Sequence, residues 1–320
     1  MPHFVWWILG ALLASGVIFW IISYIVAARQ VYKNTLRRNS KEQWSREIPS
    51  DLAPDSLEMY AKGQAWADAN KAFCTDVHIT RDGLNLYGEL YNFGGTRCAM
   101  ILSGRTECLK YGYYFAIPYA AAGFNVLVVD PRGHGKSDGE FNTVGFEESK
   151  DAIAWVRYIH DNFGQTSVVF HGICIGAAGG ILALTSPDCP DYVDGIVTEG
   201  MFPNFGESMK NHLIERKKPV RGLYWLIDRQ MRLHTGHSMS IGPIDFINKL
   251  QKPLLMLHSK EDLYSTPFYA QKLFEKASTA EKTLVWFEHG RHSMLRITDT
   301  ARYDGAITDF LAKTFATKQI

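Results

Sequence analysis

Residues 4–28 of this chain carry no charged side chain. No other stretch restricts the fold so narrowly. In lipid, a chain must satisfy every backbone N–H and C=O internally, which leaves a lone segment only the helix. As a helix the run spans roughly 37 Å, against a hydrocarbon core of about 30 Å. Trp6, Trp7, Trp20 and Tyr24 lie toward its ends, where amphipathic rings favour the membrane interface. The rival is a cleaved signal peptide, with Val26-Ala27-Ala28 resembling a cleavage site. Its apolar core would be too long, and no Lys or Arg precedes it. Residues 1–28 thus read as a membrane anchor, single-pass. Arg29, Lys33, Arg37, Arg38 and Lys41 follow at once, whereas only the terminal amine and His3 lie on the other side. The positive-inside rule predicts that the basic flank, and everything after it, is cytoplasmic.

Cysteine usage points the same way. The five cysteines are Cys74, Cys98, Cys108, Cys174 and Cys189, an odd number without CxxC or zinc-ligand spacing. That argues against a disulfide framework and for a reducing compartment. The 320 residues suffice for one large domain plus an appendage. A formal net charge of +1, with no basic patch interleaved with aromatics, argues against a nucleic-acid partner. Oligomeric state leaves no mark in the sequence.

Residues 29–72 read as a juxtamembrane connector broken by Pro49 and Pro54, with an amphipathic helix from Ser56 on the spacing of Leu57, Tyr60, Ala61 and Trp66. From Phe73 the texture changes. "CTDVHIT" and "LNLYGELYN" alternate around Arg81-Asp82-Gly83, which predicts an antiparallel hairpin. Strand and helix patterns then take turns. "CAMILSG", "NVLVVD", "SVVFHG", "DGIVTEG", "PLLMLHS" and "TLVWF" are strands; residues 111–122, 146–163, 177–184 and 301–315 are helices. The alternation implies an α/β fold with a mostly parallel sheet covered on both faces. Residues 201–249 interrupt it, too long for a simple crossover, with helical pieces around Leu223, Trp225, Leu226 and Ile227. They read as a helical lid over the strand ends.

The stretch "HGICIGAAGG", residues 171–180, follows a strand and opens a helix of small residues. An abrupt strand-to-helix turn strains the turn residue, and small neighbours two positions away on each side, Gly172 and Gly176, relieve the crowding. Cys174 is then held at the carboxyl edge of the sheet, near a helix N-terminus that favours a thiolate. The bland alternative is a buried structural cysteine.

From about Phe73 onward the chain resembles an α/β-hydrolase, close in texture to monoglyceride-lipase-like members. The segments that carry the resemblance are "VVDPRGHGKSDG", "HGICIGA", "MLHSKEDLYSTP" and "FEHGRHS", in the family's order and spacing. Cysteine departs from the serine majority; it is similar to the elbow of dienelactone hydrolases, polyhydroxyalkanoate synthases and bile-acid amino-acid N-acyltransferases, which use a Cys-Asp-His set. The resemblance implies Asp262 as the acid, beside Glu261, and His292 as the base, with His289 its competitor. A nucleophile, a base and an orienting acid must converge from separate loops, and the order Cys174, Asp262, His292 matches that requirement. The resemblance also implies an oxyanion hole made by the backbone N–H groups of Ile175 and Arg105. Ser103-Gly104 replaces the usual His-Gly, and the Arg105 side chain could instead meet an anionic substrate group or simply lie on the surface.

Two other motifs fail. "GHGKS", residues 133–137, ends like a P-loop, but that motif needs a glycine where Asp130 stands. His234 and His237 have no HExxH or carboxylate-rich context, so no metal site is expected, and no cofactor is implied. The expectation is a membrane-anchored α/β-hydrolase domain over residues 73–320, acting on small-molecule or lipid-like esters or thioesters by hydrolysis or acyl transfer. Two alternatives stay open. One is a non-catalytic binding or scaffold protein on the same fold; the other is a serine esterase or lipase whose nucleophile was changed to cysteine to trap an acyl intermediate.

Overall fold

The computed structural model describes residues 3–38 and 52–316. Its centre is one eight-stranded sheet in the order β1-β2-β4-β3-β5-β6-β7-β8. The strands are β1 (Cys74–Arg81), β2 (Leu84–Tyr91), β3 (Arg97–Leu102), β4 (Asn125–Val129), β5 (Ser167–Ile173), β6 (Val193–Glu199), β7 (Leu254–Ser259) and β8 (Lys282–Phe287). The β1–β2 and β2–β4 pairs are antiparallel, and all others are parallel. Strands β4 to β7 are buried along their whole length, which explains their unbroken apolar texture. Edge strand β1 instead alternates, with Val77 and Ile79 turned inward. The hairpin closes on Asp82 and Gly83 at φ 51° and 75°, the left-handed pair that a two-residue turn requires.

The described helices of eight or more residues are α1 (His3–Leu36), α2 (Pro54–Ala69), α3 (Leu109–Ala121), α4 (Phe146–Phe163), α5 (Ile175–Leu184), α6 (Phe205–Glu215), α7 (Leu223–Thr235), α8 (Pro267–Lys276) and α9 (Thr300–Ala316). Two apolar layers sandwich the sheet. One gathers Trp155, Val156 and Ile159 of α4 with Ala177 and Ile181 of α5. The other gathers Tyr114, Phe115 and Tyr119 of α3 with Tyr303, Ile307 and Phe310 of α9. Pro49 and Lys41 of the expected connector lie outside the described residues.

The apolar N-terminal run does not stop at Ala28. Helix α1 continues to Leu36. Its outer part is exposed, whereas Ala28, Tyr32 and Leu36 are buried against α6, α7 and residues next to Cys174. Those three positions are spaced by one helical turn, so they share a face. Leu36 and Tyr32 together bury enough apolar surface to stabilise the docking by several kcal/mol, at about 1.5–3 each. Beyond the helix, Arg38 donates to the backbone oxygens of Ser137 (2.8 Å) and Gly135 (2.9 Å), and Arg37 donates to Glu140 (2.6 Å).

The sheet order reverses around β3, where β4 lies on one side and β5 on the other. Crevices in open α/β sheets form at the carboxyl ends of such strands. Leu102 at the end of β3 pairs with Gly172 of β5, so the segments leaving these strands begin side by side.

Candidate active site

Cys174 sits between β5 and α5 at φ 53° and ψ −110°. A left-handed φ at a non-glycine residue is strained and persists only where the surroundings impose it. The two flanking glycines show how. A methyl group on Gly172 would fall 2.5 Å from the Ala177 Cα, and one on Gly176 would fall 1.9 Å from the Leu102 carbonyl oxygen. The Cys174 N–H donates to the Glu199 carbonyl at 2.9 Å, which fixes the turn to the end of β6. Ile175 is the first residue of α5, where the N–H has no intrahelical acceptor.

The residues expected as acid and base come together beside it. His292 Nδ1 lies 2.6 Å from Asp262 Oδ2, and His292 and Cys174 line the same cleft. Asp262 is clamped from its other oxygen, which accepts the N–H groups of Tyr264 and Ser265, both at 2.8 Å. Burial alone would raise the Asp262 carboxyl, but the His292 charge and hydrogen bond hold it below the ordinary carboxylate range. Burial would likewise depress His292. The Asp262 carboxylate, with Cys174 in the same cleft, carries it well above its ordinary value instead. His289 is turned to solvent and pairs with Glu261 at 3.0 Å. It meets neither Cys174 nor Asp262.

Burial pushes the other four thiols up, to about 11 at Cys74 and Cys189 and to about 12 at Cys98 and Cys108. They are poor nucleophiles for that reason. None of the five cysteines is joined in a disulfide.

A cleft of 560 Å³ opens over the pair and is lined by Gly104, Arg105, Tyr111, Cys174, His212, Tyr264 and His292, among others. Gly104 comes close to Cys174: a methyl group there would lie 3.5 Å from the Cys174 Cβ. Arg105 follows on the same loop, and its guanidinium reaches the Thr35 carbonyl of α1 at 3.4 Å. The opposite wall comes from the 201–249 segment. His212 of α6 stacks on Tyr264 with ring centroids 4.0 Å apart, and Tyr264 meets His292 edge-on at 5.7 Å. Burial, with Arg105 and Arg216 nearby, pushes His212 down to about 3, so it is neutral.

The sequence reading missed two residues at the end of β6. Gly200 has φ +60°, and a methyl group there would lie 2.9 Å from His292 Cε1; its bare backbone is the floor on which the imidazole rests. Glu199 is fully buried, and its oxygens accept the Leu295 N–H (2.9 Å) and the Tyr303 hydroxyl (2.6 Å). Burial raises its carboxyl above the usual range. Tyr303 also lies 3.1 Å from His171 Nε2, and His171 Nδ1 lies 2.7 Å from the Tyr119 hydroxyl. His171 is pushed down to about 3 by burial and is therefore neutral. Because Tyr303 donates to Glu199, the network assigns the His171 proton to Nε2, with Tyr119 donating to Nδ1. This network ties the end of β5, β6 and the segment after His292 to one another. The one available signal was the acidic residue and glycine at the end of an otherwise apolar strand next to β5.

The two failed motifs have structural explanations. The loop after β4 wraps Asp130, which accepts the N–H groups of Leu109 and Lys136, each at 2.7 Å. A methyl group on Gly135 would fall 2.1 Å from Asp130 Oδ2, so glycine is required there by a carboxylate rather than by a phosphate. His234 stacks between Tyr32 and Phe141, and His237 lies flat on Phe146 at 4.3 Å.

The sheet order, the strained turn after β5 and the crevice over it define the α/β-hydrolase fold. A family model described as "alpha/beta hydrolase fold" matches residues 100–231, a span that includes Cys174 but neither Asp262 nor His292. The Bacillus subtilis protein YqkD is 29% identical over 217 residues, covering 67% of this chain and 69% of its own. The Saccharomyces cerevisiae membrane protein YNL320W is 24% identical over 240 residues, covering 73% of this chain and 77% of its own. Among solved structures, the Pyrococcus furiosus esterase Pf2001 superposes with a TM-score of 0.65 at 21% identity, over 83% of this chain and 97% of that one.

Proposed function

We propose that this protein is a membrane-anchored acyl hydrolase that works through Cys174, His292 and Asp262 on esters or thioesters. The observation that carries the reading is a cysteine on a strained strand-to-helix turn that shares a cleft with an imidazole whose Nδ1 lies 2.6 Å from a buried carboxylate. Cys174 Sγ attacks the acyl carbonyl, and His292 holds the thiol proton as imidazolium, stabilised by Asp262. The backbone N–H groups of Ile175 and Arg105 are the donors for the developing oxyanion. The bond to the leaving group breaks, His292 returns the proton to it, and an acyl-thioester remains on Cys174. Water, deprotonated by His292, then attacks the thioester carbonyl and releases the acid and the thiol. An amine or thiol in place of water gives acyl transfer by the same steps.

A thiolate also leaves readily, so this nucleophile favours activated donors. A thioester leaving group departs about as easily as the enzyme's own sulfur, and the forward step is balanced. Helix α1 is long and apolar enough to cross a membrane, and its basic flank supports a cytoplasmic catalytic domain. Segment 201–249 serves as the lid. Exposure of the full-length protein to acyl-CoA and ester series should leave acyl mass on the peptide containing Cys174 and release acid. Cys174→Ala should abolish both. Absence of adduct and of turnover across the panel would favour a scaffold.

A further inference from the structure

The lid and the N-terminal helix are one mechanical unit with a defined direction. At one end of α7, a methyl group on Gly222 would lie 3.8 Å from Tyr24 Cε1 of α1. Near the other end, His234 stacks on Tyr32 with ring centroids 5.4 Å apart. Helix α7 therefore runs alongside α1 in the same sense, with its N-terminus toward the apolar run of residues 4–28. Tyr24 is four residues from the end of that run, the level at which aromatic rings sit among lipid headgroups.

The chain at that level is not neutral. The loop between α6 and α7 reads "RKKPVRG", and its Arg216, Lys217, Lys218 and Arg221 are all exposed. It contains no acidic residue. The adjacent Glu215 is already engaged, accepting the Tyr264 hydroxyl at 2.8 Å. Two large apolar side chains flank the loop and stand in solvent: Ile214 at 63% and Trp225 at 65% exposure. Cationic heads with apolar side chains among them make a surface for anionic headgroups above an acyl region. Glu215 and Arg216 also line the cleft that holds Cys174, so the mouth of the site opens at the same edge.

We propose that the 216–221 loop, with Ile214 and Trp225, rests on the anionic phospholipid headgroups of the membrane that α1 crosses, and that the cleft takes its substrate from that surface. The inference rests on the anchor reading above; it adds a second, electrostatic contact that sets the tilt of the domain and turns the cleft toward the lipid. Arg29 and Lys33 follow the apolar run on α1 itself, so the anchor's own positive flank and the loop face one leaflet. Anionic lipid is concentrated in the cytoplasmic leaflet, the side that the charge bias of the anchor selects.

The test uses the full chain reconstituted with the catalytic domain outward, in phosphatidylcholine vesicles with or without about 30% phosphatidylserine. Trypsin has bonds to cut after Arg216, Lys217 and Arg221, whereas Lys218 is shielded by Pro219. Cleavage in this loop should be about fivefold slower or more on the anionic vesicles, and about 0.5 M salt should restore the neutral-vesicle rate. Cleavage after Lys276, at the end of α8, serves as the internal reference and should be the same on both. Equal loop cleavage on the two vesicle types overturns the headgroup contact. Flotation of the protein with the neutral vesicles after alkaline carbonate washing is read in parallel. Failure to float removes the anchor and this inference with it, whereas flotation with equal cleavage removes this inference alone.

Discussion

At the scale of single residues, the site depends on what is absent as much as on what is present. Gly200 lies beneath His292, and any side chain there would both strain a left-handed backbone and push the imidazole. Gly200→Ala should cost about 1–2 kcal/mol of stability and slow alkylation of Cys174 by iodoacetamide at least about tenfold, because near-attack geometry tolerates little displacement. An unchanged alkylation rate in a folded variant would show that the His292 position does not govern the thiol. His292→Ala has a different signature. Asp262 and Cys174 raise His292 well above its ordinary value, which favours an imidazolium in the cleft it shares with Cys174. Without it, alkylation of Cys174 near neutral pH should fall about tenfold or more, because a thiolate would lose its cationic partner. The same pair also contributes to folding. Asp262 is depressed, so its contribution is present above the unfolded value of about 3.9 and lost as pH falls through the folded one. His292 is raised, so its contribution is complete below about 6.5 and lost as pH rises through the folded value. The gap in melting temperature between the wild type and His292→Ala should therefore be widest between about pH 4 and 6.5.

At the scale of elements, α1 is both a candidate span and a packed part of the α/β domain. Tyr32 is the hinge of that dual role, lying against Phe141 and His234 with centroids at 5.9 and 5.4 Å. Its hydroxyl is buried without a hydrogen-bond partner among the described residues. Tyr32→Phe should then be neutral or stabilising by up to about 1 kcal/mol, since an unsatisfied polar group is removed. Tyr32→Ala should destabilise by about 3 kcal/mol through the cavity it leaves. Chemical denaturation of the detergent-solubilised chain separates the two, and a destabilised Tyr32→Phe would reveal a partner for the hydroxyl. The placement of α7 depends on this contact, because α7 packs Leu223, Ile227 and Met231 into the same cluster as Ala28, Tyr32 and Leu36. Loosening the inner part of α1 should therefore loosen the wall of the cleft.

At the scale of the whole molecule, the expected arrangement is a catalytic domain held on the cytoplasmic face by α1. Protease added to intact cells should spare the domain, and digestion behind a sealed membrane would reverse the orientation. Much of the fold was legible in the sequence. The α/β alternation, the hairpin turn at Asp82-Gly83 and the helix over 146–163 follow from periodicity and turn chemistry, which are local. The glycine spacing around Cys174 was legible too, because steric relief at a strained turn acts over two residues. Sequence logic also set Cys174, Asp262 and His292 apart as candidates, through the order of chemistry-bearing residues along the chain. It could not set His292 above His289 by geometry, since both follow the same strand within three residues; only the folded chain turns one toward Asp262 and the other toward Glu261. Nor could it show Glu199 and Gly200 at the site, because their roles come from β6 lying next to β5. The continuation of α1 to Leu36 and its packing with α7 were equally hidden. Charge and hydropathy along the chain determined that residues 4–28 suit lipid, as a property of one segment by itself. Which face of the following turns is buried, and against what, was decided only by tertiary packing, because a stripe of Ala28, Tyr32 and Leu36 acquires meaning when another apolar surface meets it.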